Sequence, residues 1–506
     1  MAVIIEGKTS RRLSPAGSAP LTFAMTAFLM NLAISLPTLG RQAFWGDETL
    51  TAQAVDMDVP ALVADRLGAG HFPTYFLLLK GLGLAHASDA LMRLPSALFE
   101  AGAAAVFTVI ALSIGGRIAA VATAVLFALV PLLFFYAQEA RPYALMLLFL
   151  AIATAAHLRI IAGRIEQGRP GLVATIGCVG AALVIPAGIV SVAALHAGLL
   201  AAGSMARGRP ERRLVLRHLI VTWVAIGLAA LALIPNVMAA AQGSRGLMKW
   251  QLGMSPGRRL VEAWNEIFGL LVRQDANVFL PAGWEIVPSL GFVALIVTGA
   301  WLGRKNTAIR YVTATVVTTA LGFVVIGSFT VTAGRYLLGI LPPAILLASF
   351  ASAQLLAAGR FRLPAAAMLA ALAGAMALQT LDASISDTRF NWRRPADFIA
   401  ANDLGHAEIL TNMPFYEATL RRYLPANMAP TLRAPLPPIE PPGIIWQWSR
   451  ETPNAYVLAF DGDATPPPEA VAGRTVCSWA FGRATFFVLA ANMTTLPAPL
   501  RGCAGN

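Results

Sequence analysis

Charge is what this chain has least of. Of its 506 residues only 13% are Asp, Glu, Lys or Arg, against 57% hydrophobic. A soluble domain covers itself with roughly 25% charged residues, so one large soluble protein is excluded. Cysteine is scarce, at three residues. Cys178 sits in an apolar run and reads as inert core. Cys477 and Cys503 lie in the polar tail without CxxC spacing, which argues against a metal there. A disulfide between them is open to them if the tail faces an oxidising compartment; two unpaired thiols is the other reading. Among the six histidines, His86, His157, His196, His218 and His406 show no ligand spacing. His71, beside Pro73, has four open roles: ligand, proton carrier, cap or packing group. There is no internal repeat, no low-complexity segment, and in the tail no glycine-rich phosphate cradle.

What is there in quantity is apolar run. Runs of about 20 residues fit a bilayer core of roughly 30 Å. They do not alternate apolar and polar residues, which excludes a β-barrel. We therefore expect a polytopic helical membrane protein with about eleven spans, at 20–39, 94–114, 118–137, 142–158, 171–186, 188–203, 218–239, 285–303, 311–332, 336–357 and 363–381. The first is taken as a retained anchor, because no small-residue cleavage site follows it. The net charge of +12 sets topology and does not signal nucleic acid, since no aromatic and basic residues interleave as a single-strand site needs. With residues 1–19 as a cytoplasmic tail, every inner loop is basic. Examples are Arg117, the cluster from Arg207 to Arg217, and Arg304 with Lys305. The positive-inside rule asks for this pattern.

Outside then lie the loop 40–92, the link Gln138-Glu139-Ala140-Arg141, the loop 240–284 and residues 384–506. In the first loop, the stretch from His71 to Lys80 is too short to span and reads as interfacial. In the second, Leu260, Trp264, Ile267, Phe268 and Leu271 give one apolar helix face. The tail alternates strand-like runs at Glu408-Ile409-Leu410, 455–459 and 484–489 with a helix-like stretch from Tyr416 to Tyr423. That pattern suggests a small extracytoplasmic α/β domain.

A few charges stand where apolar spans meet water. Asp47 and Glu48 are adjacent carboxylates just past the first span, flanked by the interface anchors Phe44 and Trp45. The bland reading is a helix N-terminal charge; the functional one is a general base at headgroup depth. Glu139 and Arg141 sit between two spans with almost no loop, where ionisable residues are often functional. Arg93, Arg141 and Arg335 head spans on the outer face, against the positive-inside pattern. A planar guanidinium suits a phosphate.

Several of these blocks together resemble the bacterial branch of glycosyltransferase family 39, the dolichyl-phosphate-mannose-protein mannosyltransferase-like enzymes of the GT-C fold, which include the aminoarabinose transferase acting on lipid A. They are Asp47-Glu48; the stretch from His71 to Lys80; Arg93-Leu94-Pro95-Ser96-Ala97-Leu98; Tyr136-Ala137-Gln138-Glu139-Ala140-Arg141-Pro142-Tyr143-Ala144-Leu145; Arg335-Tyr336-Leu337; and Asn391-Trp392-Arg393-Arg394-Pro395-Ala396. The likeness covers about residues 20–425. It implies a polyprenyl-phosphate sugar as donor, Asp47 with Glu48 as the catalytic acid pair, and an inverting displacement with a lipid phosphate leaving. Arg141, Arg335 and Arg93 are then the phosphate-binding candidates. His71, Tyr75, Gln138, Glu139, Tyr143 and Tyr336 shape the site. The aminoarabinose transferase carries a phosphate-binding lysine where this chain has His71-Phe72-Pro73, so the phosphate must rest on other residues here. Some members of the wider fold use a divalent metal. Asp47 with Glu139 is the pair to hold one, though so few ligands establish none. The resemblance implies the cytoplasmic (inner) membrane, with sugar transfer at its outer face to a hydroxyl acceptor that the sequence does not name. The alternative is a transporter or flippase of an amphipathic solute. Transporters show repeated halves and charges at mid-membrane; here the charges gather at one face.

Overall fold

A computed structural model describes residues 19–164, 169–203, 209–235, 238, 255, 257–258, 286–329, 334–359, 362–385, 391–412, 417–428, 430–434, 444–460, 465–481 and 484–501. The chain falls into two compact units. One holds residues 1–37, 63–75 and 94–382; the other holds 38–62, 76–93 and 383–506.

The first unit is helical because its apolar runs leave the backbone no partner but itself, and in lipid only a helix satisfies every N–H and C=O along one segment. Its helices are α1 (Ala19–Ser35), most of α5 (Asp89–Leu129), α6 (Pro131–Ala137), α7 (Tyr143–Ile161), α8 (Pro170–Val184), α9 (Ala187–Gly203) and α10 (Arg209–Ala230). Further helices follow at Ile286–Leu302, Thr307–Phe329, Leu341–Ala357 and Arg362–Ile385. Among the described residues, seven helices are long and apolar enough to cross a membrane, and three shorter apolar ones accompany them. Large apolar side chains stand exposed along them, Leu21, Leu228, Trp301 and Leu363 among them. Water would not tolerate such a surface; lipid does. The chain is a multi-pass membrane protein.

Each expected span has helix beneath it, with two adjustments. The 41-residue α5 is divided at Gly116, whose φ of +78° only glycine adopts without strain. The third span is then broken again. Val130 is extended and Pro131 opens α6 at its first turn, a position where a missing N–H costs nothing.

The loop 40–92 departs from expectation. It holds three helices, α2 (Gly46–Asp56), α3 (Val59–Gly68) and α4 (Thr74–Gly81), of which α4 falls on the expected short segment and the other two are additional. Charged residues interrupt the apolar pattern of α2 and α3, so packing rather than periodicity makes those two helical. The expected helix in 240–284 lies outside the described residues.

The second unit carries a five-stranded sheet in the order β2-β1-β3-β5-β4. The strands are β1 (Glu408–Thr411), β2 (Thr431–Arg433), β3 (Asn454–Phe460), β4 (Thr475–Phe481) and β5 (Ala484–Ala490). β1 runs parallel to β2 and β3, while β5 is antiparallel to β3 and β4, with Tyr456 opposite Val488 and Ser478 opposite Phe487. Alternate side chains face opposite ways. Ile409, Leu458, Phe486 and Val488 pack with Trp392, Ala396 and Ile399 on one face. Leu410, Val457, Phe487 and Leu489 pack with Ile445 and Trp446 on the other. The helices Arg393–Ala401 and Ile444–Glu451 thus cover the two faces, as parallel strands require. Cys477 is disulfide-bonded; Cys503, its expected partner, lies outside the described residues.

Candidate active site

Asp47 and Glu48 occupy the first turn of α2. The backbone N–H groups of Glu48 and Thr49 both donate to the Trp45 carbonyl at 3.0 Å, so Trp45 caps the helix and aims its positive end at the two carboxylates. The two acids then part company. Glu48 is fully buried and Asp47 half-buried.

Glu48 is clamped by Arg93. Arg93 Nε donates to Glu48 Oε1 at 2.7 Å and Nη2 to Oε2 at 2.6 Å, the bidentate geometry of the strongest ion pairs. Its Nη1 donates to the carbonyls of Leu39 and Gln42 at 3.0 and 2.7 Å, and Nη2 to that of Ala43 at 3.2 Å. A guanidinium has five N–H donors, and these five contacts use them all. Arg93 therefore ties the chain from Leu39 to Ala43 to the acid pair, and this arrangement leaves no donor for the phosphate assigned to it from sequence.

Beneath the clamp lies a second knot. Asp89 accepts from Arg393 Nη2 at 2.7 Å, Arg422 Nε at 3.1 Å and the Tyr423 hydroxyl at 2.6 Å. The Tyr423 oxygen accepts in turn from the Phe44 backbone N–H at 2.6 Å. Burial, and then the charge of Asp89, push the Tyr423 phenol above its ordinary range, so it stays a neutral donor. The Phe44 ring lies between two guanidinium groups, Arg422 at 4.3 Å and Arg93 at 4.9 Å from its centre, a favourable cation–π arrangement. The segment that presents Asp47 is thus held from both sides. A cavity of about 460 Å³ opens in the same unit, lined by Thr49, Gln53, Asp56, His86, Asp89 and Arg422 among others.

The remaining expected residues lie in the first unit. Glu139, Arg141, Tyr143 and Gln138 are all buried. Gln138 Nε2 donates to the Ser35 carbonyl at 3.2 Å, and the Arg141 N–H to the Glu139 carbonyl at 2.8 Å. The Ser96 hydroxyl donates to the Arg141 carbonyl at 3.3 Å. Its single proton being used, the Tyr75 hydroxyl donates to Ser96 at 2.8 Å. The rings of Tyr136 and Tyr143 stand 4.6 Å apart. Thus three of the blocks singled out by sequence meet around the Glu139–Arg141 turn. His71 is half-buried, its backbone N–H on the Arg66 carbonyl at 2.8 Å. Arg335 is half-buried in a 3-10 turn, its guanidinium 5.7 Å from the Tyr336 ring.

Solved structures match this architecture. ArnT from Cupriavidus metallidurans in the apo state aligns with a TM-score of 0.52 at 14% identity, over 94% of this chain and 99% of that one. The fold is that of the GT-C glycosyltransferases. ArnT bound to undecaprenyl phosphate gives 0.50 at 13% identity, over 94% and 98% of the two chains. The arabinofuranosyltransferase AftD from mycobacteria gives 0.51 at 15% identity, with 95% of this chain on 40% of that one. No protein-family model and no curated protein matches. At such identities the likeness carries the GT-C fold, and residue roles rest on the geometry above. The Asp89 knot was invisible as a site. Its one sequence signal was the tail block containing Arg393, whose partner lies 304 residues away.

Proposed function

We propose that the protein transfers a sugar from a polyprenyl-phosphate donor to a hydroxyl acceptor, with Asp47 as general base. The observation that carries this reading is the split of the acid pair on a GT-C fold. Glu48 is neutralised by Arg93, while Asp47 stands beside it, half-exposed in the first turn of α2. Two neighbouring carboxylates with different environments take different roles. In this reading Glu48 and Arg93 are positioning residues and Asp47 is the one that touches substrate.

Asp47 takes the proton of the acceptor hydroxyl as its oxygen attacks the anomeric carbon. The bond from that carbon to the phosphate oxygen breaks, the electron pair leaves with the polyprenyl phosphate, and the configuration inverts. Arg141 and Arg335 stabilise the departing phosphate, each worth about 10²-fold in rate. The donor class is supported by the undecaprenyl phosphate bound to ArnT. The polar cavity beside Thr49 and Asp56 suits a hydroxyl-bearing acceptor. Eleven crossings, a cytoplasmic N-terminus and a periplasmic tail follow from the positive-inside pattern, and set the reaction at the outer face of the inner membrane.

The test is Asp47→Asn in membranes supplied with a polyprenyl-phosphate sugar. Transfer is expected to fall about 10²- to 10⁴-fold while expression and thermal midpoint stay at the parent's. Transfer at the parent rate removes Asp47 from the mechanism. Cysteine labelling of the tail from the cytoplasmic side alone removes the topology.

A further inference from the structure

Four side chains that sequence reading set aside meet inside the first unit. His157 of α7, Cys178 of α8, His196 of α9 and His218 of α10 are each at most 3% exposed. One ligand atom from each lies within 4.8 Å of all the others. We propose that they form a metal site taking Zn²⁺. The proposal does not depend on glycosyl transfer.

The distances are those of a coordination shell. His218 Nε2 is 2.9 Å from His157 Nε2 and 3.1 Å from His196 Nε2, and Cys178 Sγ is 3.6 Å from His196 Nε2. A tetrahedral zinc with its usual bond lengths has N···N edges of about 3.3 Å and S···N edges of about 3.6 Å. Small side-chain rotations separate the observed set from that shell.

Hydrogen bonding among the rings accounts for one of the two short Nε2 contacts of His218, not for both. A neutral imidazole nitrogen carries either one hydrogen or one lone pair, so His218 Nε2 cannot bond well to two other Nε2 atoms at once. The far nitrogens of His157 and His218 are engaged elsewhere. His157 Nδ1 is 3.0 Å from the Tyr311 hydroxyl, and His218 Nδ1 is 2.8 Å from the Thr175 hydroxyl. If each Nδ1–H donates to its hydroxyl, both Nε2 lone pairs point at one spot. In the dry interior they repel each other unless a cation lies between them. Metal-ligating histidines are oriented in just this way, by a partner on the second nitrogen.

The helix packing supports the same shell. A side chain on Gly177 would sit 2.8 Å from the Ala153 nitrogen and the Phe149 carbonyl oxygen. α8 therefore touches the α7 backbone at Gly177, one residue before Cys178, and the short cysteine side chain reaches His196. Trp223 packs its ring 5.7 Å from that of His196 and screens the cluster. Three imidazoles and one thiol suit zinc, whereas oxygen ligands would suit magnesium or calcium. Binding releases the thiol proton, since the thiolate is the ligand. Four protein ligands close the shell and leave no open position for substrate, so the role is structural: one ion joining four helices.

The test is metal content by mass spectrometry of the full-length protein, purified in detergent through a tag without histidine. About one zinc per chain is expected, falling at least tenfold in His196→Ala and Cys178→Ala. Stripping the parent with a strong chelator should lower its thermal midpoint, and zinc should restore it. The cobalt-loaded parent should show a thiolate-to-metal charge-transfer band that Cys178→Ser loses. Zinc content equal in parent and folded variants, or absent from the parent, overturns the site. If the variants fail to fold, the cobalt spectrum of the parent decides: no thiolate band, no site.

Discussion

Among the described residues each unit buries a dense polar cluster, and these two are built on opposite principles. In the second unit, Glu48, Arg93, Asp89, Arg393, Arg422 and Tyr423 meet with charges opposed and donors matched to acceptors. In the first, three imidazoles and a thiol turn their ligating atoms toward one another. A buried cluster that satisfies itself is scaffold, and its work is to hold the neighbouring Asp47. A buried cluster that does not is a site waiting on something from outside the chain. Burial and polarity alone do not locate function; the balance of donors and acceptors does.

The contrast is broken most severely at Arg93. Arg93→Ala leaves the Glu48 carboxylate buried without its cation, a loss of about 3–5 kcal/mol. It should appear as a collapse of folded yield and thermal midpoint in detergent. The pair replacement Glu48→Leu with Arg93→Met should recover part of that stability, because no lone charge is left behind. It should not recover sugar transfer, because the carbonyls of Leu39, Gln42 and Ala43 lose the group that anchors them. Recovery of both would make the clamp dispensable for Asp47. Zinc content per folded chain should not change in any of these variants.

A milder break is Tyr423→Phe. It keeps the ring and removes the hydroxyl that donates to Asp89 and accepts from Phe44. Hydrogen bonds to a charged group contribute about 1.5–3 kcal/mol. The thermal midpoint should fall accordingly, with the largest loss of amide protection at Phe44 in hydrogen exchange. Unchanged protection there would show that Phe44 is held by the cation–π sandwich alone.

Much of the fold was legible because membrane spans announce themselves by length and hydropathy. The strands β1, β3 and β5 were legible for a related reason, being short apolar runs. α2 and α3 were not, since Asp56, Asp58, Asp65 and Arg66 interrupt their pattern, whereas α4 falls on the short segment from His71 to Lys80. Nor were β2, only three residues long, and the edge strand β4, whose Val476 and Ser478 face solvent while Cys477 is buried. At the site, sequence singled out Glu48 and Arg93 but not their pairing. Arg93 read as an outward arginine suited to phosphate, and its Glu48 partner 45 residues away turned it into a clamp. The zinc ligands were the least legible. Cys178, His196 and His218 are separated by 18 and 22 residues, about one per helix. Ligands contributed one to a span leave no local motif, and only the packing of the helices brings them together.

The gentlest break is Thr419→Val. The Thr419 hydroxyl donates to Thr49 Oγ1 at 3.0 Å, and both residues are buried. The Thr49 hydroxyl still reaches the Trp45 carbonyl at 3.4 Å, so only one acceptor lone pair is stranded. The shape of the side chain is kept. The loss should be about 0.5–1.5 kcal/mol, read as a small shift of the denaturation midpoint. Thr49 follows Asp47 and Glu48 on the same first turn of α2, so this variant perturbs the acid pair from its far side without touching a charge. If transfer falls no more than stability does, the turn is held by the Arg93 clamp and Thr419 merely fills space. A fall in transfer well beyond the stability loss would extend the positioning network from Arg93 through Thr49 to the helix Glu417–Arg421.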